Sequence, residues 1–278
     1  MELRTWIAAG LLLLAHAGAG AAVPLQESSM VLAGQISVDA SGTVVDHRID
    51  KEETIPAGVL AFLRERIPHW RFRPMQEDGV PVGARNAMRV LLVATPIEGG
   101  GFEIRLQAAS FEPLSPREGH ALAAHKMLPP TYPREMARAG VEGTAFLLAK
   151  VGRDGVVQAS FVEQVNLRAW GSEAVMQKMR ESFADAARDA ARRWRFIPPT
   201  RGDRAGDAYW TVRVPIRYAM RHEPAYGRWI GYVPGPRAKP VWADQELLRT
   251  SPEALPEGAA SLLADGGLDL LTPLGEDS

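Results

Sequence analysis

One order of features occurs twice along this chain, so it must fold as two similar units or as one unit built from two similar halves. The first copy begins Gly34-Gln-Ile-Ser-Val38-Asp-Ala-Ser-Gly42-Thr-Val44, and the second Leu147-Leu-Ala-Lys-Val151-Gly-Arg-Asp-Gly155-Val-Val157. Alternating apolar residues around a short glycine-bearing break predict a β-hairpin in each. Each copy then has a Trp-Arg-Phe-x-Pro run, at Trp70–Pro74 and Trp194–Pro198. Twenty residues past each Trp lie Val90 and Val214, inside further alternating runs. The shared order and spacing read as a duplication.

Between hairpin and Trp each copy shows helical spacing. Met176, Met179, Phe183, Ala187, Ala190 and Trp194 form an amphipathic stripe, with Ser172 placed as its N-cap. Leu60, Leu63, Ile67 and Trp70 do the same in the first copy, with Pro56 at the start and Pro68 ending the helix early. The second copy has a leader, Pro129-Pro-Thr131-Tyr132-Pro133, opening a short helix that Gly140 closes. The fold class expected is α+β: two small modules, each a three-stranded antiparallel sheet packed by one or two helices. The expected boundaries are a signal peptide over 1–22, a first module over 31–108, a linker over 109–128, a second module over 129–220, and a Pro/Gly-rich acidic extension over 221–278. Each Trp is read as a core anchor. Tyr226, Trp229, Tyr232 and Trp242 of the extension are expected along a domain surface, and a short helix is expected over 256–264.

The N-terminus carries Arg4, an apolar run with four leucines at 11–14, and small residues over 17–22. A basic start, a short apolar core and a small-residue exit predict a cleaved export signal. The other reading is an uncleaved anchor. With a formal charge of −1, the chain has no bulk attraction for nucleic acid. The charge is uneven, however: from Asp244 onward eight acids face only Arg249, so that stretch carries −7 and the rest +6. A solvated tail is the expectation, with folding back on the basic body as the alternative. The absence of cysteine removes disulfides, thiolate metal sites and a cysteine nucleophile.

The second copy resembles the TonB C-terminal domain family. The resemblance rests on Tyr132-Pro133, Glu142-Gly143, Gly155, the run Trp194–Pro198, and a closing strand ending at Tyr218, and it spans residues 129–218. A fainter likeness covers 34–95, without the Tyr-Pro helix. In that family the domain takes an extended peptide, the TonB box of an outer-membrane transporter, as an added strand beside its last strand. The resemblance therefore implies a partner-binding edge at Tyr209, Trp210, Thr211, Val212, Arg213, Val214 and Ile216, with Thr131 and Tyr132 near the peptide. Pro215 lacks an N–H, which suits an edge strand. Thr131 stands where the family often has Gln.

The implied function is a periplasmic protein that binds a partner segment by strand addition. The alternative is a membrane-anchored energy transducer coupled to an ExbB–ExbD motor. That role calls for Ser and His on the anchor, and here Leu12 stands four residues before His16. It also calls for a long spacer, and residues 23–33 reach about 36 Å when extended. Self-association through sheet edges is a further reading. An enzyme is the remaining class, and no H-E-x-x-H, G-x-S-x-G, Walker loop or G-x-G-x-x-G supports it. No catalytic residue, cofactor or metal site is expected.

Overall fold

In a computed structural model, the residues described are 26–77, 79–98, 101–114, 118–220, 226–243, 252–254 and 267–274. The expected signal segment and the helix expected over 256–264 lie outside them. Along the chain come β1 (Glu27–Val38), β2 (Val44–Ile49), α1 (Ala57–Arg66), β3 (Met75–Glu77), β4 (Val80–Val82), β5 (Ala84–Pro96), β6 (Phe102–Pro113) and β7 (Ala123–Lys126). Then follow α2 (Arg134–Ala139), β8 (Gly143–Gly152), β9 (Val157–Leu167), α3 (Glu173–Ala191), β10 (Arg195–Ile197), β11 (Tyr209–Tyr218) and β12 (Ile230–Tyr232).

Turn glycines shape both hairpins. Gly42 and Gly155 take φ of +81° and +74°, a region L side chains avoid. A Cβ at either would lie 2.0 Å from a backbone oxygen, that of Phe72 or of Phe196. The same two Phe residues donate their N–H to Gly42 O and Gly155 O, each at 2.9 Å. In both halves, therefore, the segment after the Trp is stitched across the tip of the hairpin.

The second half forms a three-stranded antiparallel sheet in the order β11-β8-β9. Its core lies between that sheet and α3, around Leu147, Phe183, Trp194, Trp210, Val212 and Val214. Ser172 stands at the N-cap of α3, and Gly140 closes α2 with φ +68°. The first half has the order β12-β1-β5-β6, with β2 also on β1. There β5 pairs with β1 as β11 pairs with β8, both antiparallel. The first sheet exceeds the expected three strands because β6 adds to β5 and β12, from the extension, adds to β1. Helix α1 gives way to a 3-10 turn at Ile67–His69, which contains Pro68. A separate core gathers Leu32, Leu63, Trp70, Phe72 and Phe111 under it. The stretch expected as a linker contributes the end of β6 and also β7, which pairs with β10.

The extension is a strap. The Tyr226 hydroxyl accepts from Ala33 N (3.2 Å) and donates to Asp50 O (2.6 Å) on the first half. Just past β12, Val233 exchanges backbone hydrogen bonds with Leu167 of β9 (2.8 and 3.1 Å), and Ala238 N donates to Glu163 O. Trp242 and Ala243 then pack on Leu148, on the face of the second sheet away from α3. The 3-10 turn Pro252–Ala254 packs against β5, β6 and β11, and residues 267–274 return to the first half. The expected solvated tail therefore does not hold for these residues: Leu268 is buried, Leu270 packs on the first core, and Glu253 accepts hydrogen bonds from Asn166 and Gln164. Between the two sheets lies a cavity of about 330 Å³, lined from one side by Val31, Ala33 and Leu91 and from the other by Phe146 and Pro215.

Candidate partner-binding edge

Strand β11 pairs with β8 and, among the described residues, with no other strand, so it is an edge of its sheet. Which of its residues offer backbone groups outward follows from β8. Gly152 N donates to Val156 O (2.9 Å), and Arg168 N donates to Glu142 O (2.8 Å). Even-numbered positions on and just before β8 thus turn their backbone groups toward β9, and odd-numbered positions turn theirs toward β11. The register is Ala149↔Val212 and Leu147↔Val214. On β11, then, Trp210, Val212, Val214 and Ile216 ladder with β8, while Tyr209, Thr211, Arg213, Pro215 and Arg217 face outward. Pro215 falls on the outward row, where its missing N–H costs the ladder nothing.

Side chains alternate in step. Trp210, Val212, Val214 and Ile216 point into the core with α3, and the Trp210 indole donates to Arg204 O (3.0 Å). Of the implied site, these four build the sheet, while Tyr209, Thr211 and Arg213 build the edge. Pro215 and Arg217 complete the outward row, and the expected set omits both. Thr211 is buried, and its hydroxyl has no hydrogen-bond partner among the described residues. Tyr209 donates to Trp242 O (3.1 Å), tying the start of the strand to the strap.

Arg213 is fully buried and lies across β8 in a two-point pair with Glu163, Nε–Oε2 2.8 Å and Nη2–Oε1 3.1 Å. Burial pushes the Arg213 guanidinium below its usual range, opposed by the Glu163 charge and its hydrogen bonds. Arg237 of the strap reaches the same carboxylate through Nε (2.7 Å). Glu163 is there because of a β-bulge. Val165 and Leu167 face the core, so strict alternation would send Glu163 there too. The register breaks between Phe146 and Leu147, Val162 takes the core place, and Glu163 turns to the other face.

Tyr132 is held beside the same sheet. Its hydroxyl donates to Val141 O (2.6 Å), and its ring meets Phe183 and Tyr218 edge-on. Burial, with the Glu142 charge adding, raises its pKa. Thr131 precedes it and is exposed. At the far end of the outward row Glu253 is partly buried. It accepts from Asn166 Nδ2 and from Gln164 Nε2 (3.1 Å), and the Tyr232 hydroxyl lies 2.9 Å from it. That hydroxyl is also 2.9 Å from Glu27. One proton cannot serve two carboxylates, and desolvation raises the Glu253 pKa above the ordinary glutamate value. Nothing in the sequence pattern singles out Glu163 or Glu253.

Over 100 residues the chain is 32% identical to Protein TonB of Xanthomonas campestris pv. campestris strain B100, and equally to Protein TonB of strain ATCC 33913. The relationship is TonB-like. The matched stretch is 36% of this chain and 38% of each of those proteins, so the chain spans less than two-fifths of the length of the curated relatives it matches. No family model and no solved structure matches the chain. No helix among the described residues is long and apolar enough to cross a membrane.

Proposed function

We propose that this chain is a TonB-like protein of the cell envelope, not an enzyme, whose second module receives an extended segment of an outer-membrane or periplasmic protein as a strand added to β11. The observation that carries the reading is the outward row Tyr209, Thr211, Arg213, Pro215 and Arg217 on a strand that, among the described residues, is paired on one side only. Such a row recognises any extended backbone, and specificity comes from the flanking side chains. The matching stitches of Phe72 on Gly42 and Phe196 on Gly155 support reading the two halves as copies of one module.

The test is a titration of the exported protein with a fluorescent TonB-box peptide, read by anisotropy. Thr211→Pro removes an outward N–H and leaves the β8 ladder intact. Losing a hydrogen bond worth about 1.4 kcal/mol weakens binding roughly tenfold. Thr211→Val keeps the N–H and binds as the parent does. A folded Thr211→Pro protein with parental affinity would sink the proposal.

The likeness to the two TonB proteins favours a second reading, an anchored transducer contacting an ExbB–ExbD motor. Intact mass separates the two: loss of the first ~20 residues ends the transducer reading, and a retained N-terminus in the inner-membrane fraction supports it.

A further inference from the structure

The short strand after each Trp has two edges. One is stitched to its hairpin tip, and in both halves the other is taken by a further extended segment. In the second half that segment is β7, with Phe196 opposite Ala124. It lies close in sequence to the module it completes. In the first half the guest comes from the far end of the chain: Phe72 bridges Leu270. Arg73 N donates to Asp269 O (2.9 Å), Leu271 N to Arg71 O (2.8 Å), and Arg71 N to the Thr272 hydroxyl (2.8 Å). Leu268 is buried in the core around Trp70 and Phe72, and Leu270 packs against it. Between these leucines Asp269 pairs with Arg73 (2.9 Å), both side chains more than half exposed.

We propose that residues 71–73 form a second strand-acceptor site, separate from β11, and that residues 268–272 fill it as a built-in ligand. The partner it fits is an extended protein segment reading leucine, acid, leucine, with a hydroxyl residue two positions on. The apolar residues enter the first core, the acid meets Arg73, and the hydroxyl accepts from Arg71 N. The exposed ion pair contributes little to holding the guest, and a tail docked by a handful of contacts opens more readily than a core strand. A partner segment of the same pattern can therefore replace it. The two sites lie on different modules, so this one stands or falls independently of β11.

The experiment uses the full chain and a fluorescent peptide of residues 267–274. The double variant Asp269→Lys/Leu270→Glu undocks the tail. Hydrogen exchange then shows Arg73 N losing protection while Phe72 N, bonded to Gly42 O, keeps it and reports that the module is still folded. That variant binds the peptide about tenfold more tightly than the parent, which still holds its own tail, and adding Arg73→Pro, which removes the N–H that meets Asp269 O, weakens the binding about tenfold. Equal binding by parent and double variant, or binding unchanged by Arg73→Pro, would overturn the proposal. So would an Arg73 amide that stays protected in the double variant. Sedimentation distinguishes the remaining occupant: a parental dimer that the double variant abolishes and the peptide does not dissociate would assign the site to a second copy's tail and also overturn it.

Discussion

Replacing Glu163 with Gln tests whether the charge at the β9 bulge holds the second sheet together. Glu163 faces two cations: Arg213, with a side chain 1% exposed, and Arg237, 30% exposed. Removing one member of a buried pair costs about 3–5 kcal/mol, because the other charge remains desolvated and uncompensated. Gln retains one acceptor for Arg213, so the low end, about 3 kcal/mol, is the expectation. In a chain of this size each kcal/mol lowers Tm by about 2–4 °C, so the variant melts roughly 6–12 °C below the parent. The decisive comparison is Glu163→Leu/Arg213→Met, which removes both buried charges, while Arg237 already reaches solvent with 30% of its side chain exposed. It lies within about 1 kcal/mol of the parent, since well-packed apolar replacements of buried pairs are often neutral. Scanning calorimetry and guanidinium unfolding read both variants. A Glu163→Gln protein within about 1 kcal/mol of the parent, or a double variant as unstable as the single one, would refute the reasoning.

Two further outcomes follow from the same geometry. Gly155→Ala places a methyl 2.0 Å from Phe196 O at positive φ and unfolds the hairpin, with a loss of at least about 3 kcal/mol; Gly140→Ala, also at positive φ but with nothing within 4 Å, costs only about 1 kcal/mol by chemical denaturation. Because the Glu253 pKa is raised on folding, its contribution is fully present below the unfolded value of 4.5 and is lost as pH climbs toward the folded value; the Tm of Glu253→Gln therefore falls less than the parent's between pH 4.5 and pH 7.

What the sequence revealed was what short-range pattern encodes. Both hairpins, both Trp anchors, α1 giving way to the turn that holds Pro68, and α2 closing at Gly140 rest on spacings within a dozen residues, and the structure has them there. The closing strand was legible too, but its outward row was not, because the parity of β11 is set by hydrogen bonds that β8 makes to β9. The bulge left a faint mark: Val162, Val165 and Leu167 are spaced by three and then two, where an unbroken strand would keep two throughout. The strap left less. Ile230-Gly-Tyr232 is too short to show alternation, and its pairing with Ser28 joins residues about 200 positions apart. The acidic tail read as solvated because composition counts charges and does not see that Leu268 and Leu270 find an open edge beside Phe72.

The strap also sets an order of assembly in time. The first strand among the described residues, β1, receives the neighbour for Glu27, Ser28 and Ser29 only when Ile230–Tyr232 has been made. Closing a loop of that length costs about 5 kcal/mol if the intervening chain is unfolded, and much less once the second half has already collapsed between the two ends. The half made first is thus the one completed last, and its sheet carries a bare edge for as long as the rest of the chain takes to appear. A ribosome that stalls before residue 230 would release a protein already able to stick to its neighbours.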